Sequence, residues 1–168
     1  MRVSFLVVLI CCAGILAAED KEQSTSSPIS EGNAVCTFED GQQVSIRYPQ
    51  VPYKAEPTEG KAWSPDNRPI YLFSETELVI GSTSVPAGAY SLYPIPGSHT
   101  WTLVLNKDVT KGSSYDPKQD LARLDAQMGK LPNASHKLTL YFGHIAPKKC
   151  TLRIDYGKQR VFADFQQK

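Results

Sequence analysis

The chain has 168 residues, of which 41% are hydrophobic, with 18 Lys plus Arg against 17 Asp plus Glu. This length supports one domain of ordinary size with its own core. A formal net charge of +1 leaves no basic footprint of the kind nucleic-acid binding requires, so no nucleic-acid partner is expected.

Residues 1–18 read as a secretory signal peptide. Arg2 supplies the positive start, Val3 to Ala13 the apolar run, and Leu16-Ala17-Ala18 the small residues of a cleavage site. The run is shorter than the roughly 20 apolar residues of a membrane-spanning helix, so no transmembrane segment is expected after cleavage. Cys11 and Cys12 raise a lipoprotein alternative. Neither follows the small residue that a lipidated cysteine normally follows, so a freely secreted or periplasmic protein is the preferred reading. Loss of Arg2 with the leader leaves 17 basic against 17 acidic residues. Residues 19–33 are rich in Ser, Glu, Pro and Gly and hold one large apolar residue, Ile29. They read as a flexible linker, and residues 34–168 as the folded domain.

In that domain, Val35 to Glu39 and Gln43 to Tyr48 flank Asp40-Gly41, a strong hairpin signal. Cys36 and Phe38 share one face of the first strand; Val44, Ile46 and Tyr48 share one face of its partner. Residues 49–69 form a long loop with five prolines, and long loops in compact domains are often functional. It carries Tyr53, Trp63, Asp66, Asn67 and Arg68. One reading is a ligand-facing loop with an aromatic platform. The other is a proline-stiffened cover over a sheet edge, with Trp63 packed inward.

Ile70 to Ser74 and Leu78 to Ile80 read as short strands. Val85-Pro86-Ala87-Gly88 reads as a tight turn, and Ala89 to Ile95 as a further strand, with Tyr90 and Leu92 on one face and Ser91 and Tyr93 on the other. Pro94 and Pro96 lack N–H donors, which marks that end as an edge or an exit from the sheet. Trp101, Leu103 and Leu105 alternate with Thr102, Val104 and Asn106, the period of a strand with one buried face. Lys107 to Gln119 is a loop and Asp120 to Leu124 a further strand. Gly129 to Ser135 reads as a turn region, followed by strands at His136 to Phe142, Cys150 to Tyr156 and Arg160 to Phe165. About nine short strands without an amphipathic helix predict an all-β domain, an antiparallel β-sandwich or jelly roll.

Three segments together resemble a known family: V-P-A-G-A-Y-S-L-Y-P-I-P-G (85–97), W-T-L-V-L-N-K-D (101–108) and Y-D-P-K-Q-D-L-A-R (115–123). They are similar to the secreted bacterial family catalogued as domain of unknown function 2911, and the resemblance extends over about Cys36 to Phe165. It implies a β-rich fold and an envelope setting, and brings no established activity. Members tend to carry W-R-T-G-A-N-E after the first long loop. Here the matching positions open Trp63-Ser64-Pro65-Asp66-Asn67-Arg68, so the tryptophan is kept and the arginine and glycine-alanine are not. If that loop is the family's working site, this chain is a divergent copy or has lost the activity.

Cys36 and Cys150 are the two cysteines beyond the leader, both in phase with the core face of their strands. An even count in an exported chain favours a disulfide; two separate buried thiols are the competing reading. No metal site is read, since His136 and His144 are separated by roughly 26 Å of strand unless the chain folds back, and neither HExxH nor CxxC occurs. No cofactor is expected. G-x-S-x-G is also absent. Tyr115, Asp116, Asp120 and Arg123 group in the segment that resembles the family. They read either as a polar ligand cluster or as a loop cap with an Asp–Arg surface pair. Of the aromatics Trp63, Tyr71, Tyr93 and Trp101, the better exposed platform candidates are Trp63 and Tyr93.

The combined expectation is a secreted or periplasmic, non-catalytic binding or structural module. Its tentative ligand residues are Trp63, Asp66, Asn67, Arg68, Tyr93, Tyr115, Asp116, Asp120 and Arg123, and its partner is an envelope ligand or protein. The alternative is a carboxylate-dependent hydrolase of an envelope glycan or peptide, which would bring Asp66, Asp116 and Asp120 together in a cleft.

Overall fold

The computed structural model describes residues 28–168. The expected signal peptide, and linker residues 19–27, lie outside the described residues. The hairpin around Asp40-Gly41 forms from β1 (Glu31–Thr37) and β2 (Gln43–Pro49). Gly41 adopts φ 87° and donates its N–H to Phe38 O at 3.0 Å. A positive φ of this size is a conformation in which glycine meets no side-chain penalty. β1 begins three residues inside the expected linker, with Glu31 opposite Pro49 and Gly32 opposite Tyr48. The polar residues there are drawn into the sheet by backbone pairing, and Gly32 leaves room for the Tyr48 ring.

The remaining strands are β3 (Ile70–Ser74), β4 (Leu78–Ile80), β5 (Thr83–Val85), β6 (Gly88–Ile95), β7 (Trp101–Asn106), β8 (Asp120–Ala146) and β9 (Lys149–Gln167). They form one antiparallel sheet in the order β1-β2-β3-β6-β7-β8-β9-β4-β5, not closed into a barrel. The domain is therefore all-β. The sheet folds over along β8. Residues 120–126 of β8 pair with β7, whereas residues 127–146 pair with β9. One layer then runs from β1 to the start of β8, the other from the rest of β8 to β5, and a single hydrophobic core draws on both.

The C-terminal half differs from the sequence expectation. The four strands read there are two long, bent ones. Gly129 to Ser135 does not reverse the chain: β8 advances from Lys130 to Ser135 while β9 moves only from Gln159 to Gly157. Such an excess on one strand is a bulge, and bulges bend a strand and raise its twist. Gly157, at φ 60°, sits at the corresponding corner of β9. It does not end the strand but shifts its phase, because the buried apolar positions are 150, 152, 154 and 156 before it and 161, 163 and 165 after it. β5 was also absent from the expectation. Val85 reads as the start of a tight turn, yet with Thr83 and Ser84 it pairs with β4 and is fully buried in the core.

The proline-marked end of β6 is an edge on one side, as expected. β6 runs between β3 and β7, but β3 pairs no further than Leu92. Beyond that point the carbonyls of Pro94 and Pro96 accept from the N–H groups of Trp63 and Gly60, both at 2.8 Å. The prolines stand where β6 needs no donor, and the 49–69 loop completes the strand.

Cys36 on β1 and Cys150 on β9 form a disulfide, with Cα atoms 6.4 Å apart. It ties an edge strand of the first layer to the second layer. The Tyr48 hydroxyl spans the same gap, donating to Leu140 O at 3.2 Å. Among the described residues no helix is long and apolar enough to cross a membrane.

Candidate functional site

The 49–69 loop is anchored at three places. Tyr53 N–H donates to His136 O at 2.7 Å and Leu138 N–H to Val51 O at 2.8 Å, which fixes the loop start along β8. The bonds from Gly60 and Trp63 to β6 fix its middle. A row of aromatics then nails it to the interior. Trp63 packs on Tyr156 with ring centroids 4.9 Å apart and edge-on to Trp101 at 6.3 Å, and Tyr53 packs on the other side of Tyr156 at 4.9 Å. Trp63 is thus half-buried against the core. Packed against two other rings, it is not an open platform.

After Trp63 the chain makes a tight turn at Pro65–Asn67, in which Asp66 and Asn67 both have positive φ, 54° and 53°. Asp and Asn are the non-glycine residues that best tolerate this region. The turn places Arg68 within 3.3 Å of the Asp66 carboxylate.

The 107–119 segment packs on the outer face of β6 and β7, which is why Tyr93 and Val104 are 1% and 0% exposed. Tyr93 is therefore corrected from an exposed candidate to a buried support: its ring lies under Tyr115, with centroids 5.0 Å apart. Trp101 is buried on the opposite, core face. The hub of this packing is Asn106, 1% exposed. Its Nδ2 donates to Asp116 O at 2.8 Å and to Asp120 Oδ1 at 2.9 Å, and its Oδ1 accepts from Asp108 N–H. Ser91 Oγ donates to Asp108 O at 2.7 Å.

Tyr115, Asp120 and Arg123 do come together. The Tyr115 hydroxyl donates to Asp120 Oδ2 at 2.8 Å. Arg123 donates through Nε and Nη2 to the same oxygen, and through Nη2 to the Tyr115 hydroxyl. Burial, then the bond to Asp120 and its charge, push the Tyr115 phenol up to about 12. Asp116 faces a different task. Its Oδ1 accepts from Lys118 N–H at 3.0 Å and caps the short turn Pro117–Gln119. These groups hold one another, so the cluster braces the base of the segment.

The two loops meet over a cleft of about 440 Å³. Thr58, Lys61, Trp63, Ser64 and Asn67 line one wall, and Gly112, Ser113, Ser114 and Tyr115 the other. Of the nine expected ligand residues, Trp63, Asn67 and Tyr115 line it. Asp66, Tyr93, Asp116, Asp120, Arg123 and Arg68 do not. The three acids do not converge there: Asp66 pairs with Arg68, Asp116 caps a turn and Asp120 holds Arg123. Sequence reasoning missed Lys61, Ser113 and Ser114, which carry no pattern. It also missed Asn106 as a hub, although a polar amide ending an otherwise apolar strand runs against strand preference.

A family model described as "Protein of unknown function (DUF2911)" matches residues 37–165. No curated protein and no solved structure matches the chain.

Proposed function

The chain belongs to the DUF2911 family, and on that footing we propose that it is a secreted, envelope-associated binding domain whose ligand occupies the cleft between the 49–69 loop and the 107–119 segment. The observation that carries this reading is the lining of the cleft. Thr58, Ser64, Ser113 and Ser114 bring hydroxyls, Asn67 an amide, Lys61 an ammonium, and Trp63 and Tyr115 aromatic surface. A few placed polar groups beside an aromatic surface suit recognition of a small polyhydroxylated molecule, such as a wall or envelope saccharide. Secretion is supported by the leader-like residues 1–18 and by the disulfide, since such bonds persist in oxidising compartments.

The test is a thermal-shift screen against envelope saccharides and cell-wall fragments. A native-state ligand at a hundred times its Kd stabilises by about 2.7 kcal/mol, a midpoint rise of roughly 5–10 °C for a domain of this size. Lys61→Ala and Asn67→Gly should abolish the shift while leaving the unliganded midpoint near that of the wild type. A panel that produces no saturable shift, or a shift insensitive to both substitutions, sinks the reading.

A further inference from the structure

A second concavity, of about 490 Å³, lies on the other side of Asn67 and Gly112 from the cleft. It belongs to the outer face of the first layer. Strand alternation turns Arg47, Tyr71, Phe73 and Ala89 away from the core. The register sets Arg47 opposite Tyr71 and Phe73 opposite Ala89. The Tyr71 and Phe73 rings stand 6.4 Å apart at 40°, and Arg47 lies 5.3 Å from the centre of the Phe73 ring. The next strands over, β6 and β7, are roofed by the 107–119 segment. That roof stops short of β2 and β3, so the two rings form a floor under the overhanging Val109 and Lys111. Ala89 is exposed and small, and the space above it stays open.

The rim is charged in one sense. Arg47, Arg68 and Lys111 line the groove against a single acid, Glu31, in a chain of near-zero net charge. Among the described residues, neither Arg47 nor Lys111 is in an ion pair, and Arg68 is held by Asp66 alone. An aromatic floor under unpaired cations fits a ligand that has a flat ring face and a negative charge at its edge. Arginine beside a ring is well suited to this, since it binds a carboxylate through a rigid fork of donors while its own plane stays stacked.

We infer that this groove binds a carboxylate-bearing ring, with the ring over Tyr71 and Phe73 and the carboxylate at Arg47 and Lys111. A sugar acid and an aromatic acid both have that chemistry. The site is separate from the cleft and does not depend on it.

Isothermal titration of the purified protein with three probes tests the inference: tri-galacturonate, neutral galactotriose and phenylacetate. One of the two acids should bind at least about ten-fold more tightly than galactotriose, the size of effect expected for one charge-assisted contact. Binding of tri-galacturonate alone identifies the sugar acid as the occupant class, and binding of phenylacetate alone the aromatic acid. The double variant Arg47→Gln/Lys111→Gln should lose about ten-fold or more. Both positions are exposed, so its melting temperature should match the wild type. Ala89→Trp should block binding by filling the groove, whereas Lys61→Ala, in the cleft, should leave it intact. Equal affinity for galactotriose, no binding of any probe, unchanged binding by the double variant, or a loss confined to Lys61→Ala would each overturn it.

Discussion

Tyr115 ties the 107–119 wall of the candidate site to the sheet beneath it, because its ring rests on Tyr93 while its hydroxyl donates to Asp120 and accepts from Arg123. Tyr115→Phe keeps the ring and removes both bonds. Asp120 retains Arg123, and the position is partly open to water, so the loss should be about 1 kcal/mol in urea denaturation. The same phenol makes a pH prediction. Its folded value, about 12, lies above the ordinary 10.0, so between those values the folded state keeps a proton that the unfolded chain releases. Tyr115 therefore supports the fold fully below pH 10, and this contribution is lost as pH rises from 10 toward 12. Stability measured over that window should fall more steeply in the wild type than in Tyr115→Phe, and equal slopes would argue against the assignment. At this scale the sequence was a partial guide. Tyr115, Asp120 and Arg123 are close in sequence at strand-start spacing, so their grouping was legible. The burial of Tyr93 was not, because it depends on a loop laid over the outer face, and alternation reports only the face toward the core.

Two elements carry the joint between the layers. The disulfide closes a loop with a sequence separation of 114 residues, and the chain-entropy model gives such a loop about 4–5 kcal/mol. Cys36→Ala/Cys150→Ala, or reduction of the native protein, should lower the unfolding free energy by about 3–5 kcal/mol, read from the urea midpoint. A midpoint unchanged by reductant would mean that the bond does not constrain the unfolded chain. Gly157 marks the corner of β9. Its φ is 60°, and a Cβ there would run into the Tyr53 ring. Gly157→Ala should therefore destabilise by at least about 1–2 kcal/mol from the left-handed backbone alone. Displacement of Tyr53 should show as a changed environment for the Tyr156–Trp63 stack, followed by tryptophan fluorescence. The pairing of Cys36 with Cys150 was legible from parity and phase. The long bent strands were not. Gly129 to Ser135 and Gly157-Lys158 look like turns because a bulged corner and a chain reversal recruit the same residues, and only partner strands decide between them. Pro94 and Pro96 correctly marked an end of β6 with no strand beside it on one side; what they could not show is that the 49–69 loop takes up that side.

For the whole molecule, the all-β class and the two-layer arrangement followed from the spacing of short apolar alternations, and membership of the DUF2911 family now frames them. The two segments expected to carry function do meet. Their meeting depends on the backbone bonds from Gly60 and Trp63 to β6 and on the Asn106 hub under the 107–119 segment, contacts that no local pattern encodes. Trp63 was legible as either an open platform or an inward-packed cover, and its contacts with Tyr156 and Trp101 bear out the second: it secures a wall of the cleft by packing inward. The most direct test of the cleft is an amide shift map, recorded while a saccharide hit from the thermal screen is titrated into isotope-labelled protein. The account predicts saturable movement of Thr58, Lys61, Ser64, Ser113 and Ser114 together, from both walls at one common Kd. Movement confined to one wall or to a remote face, or none at saturating ligand, would contradict it.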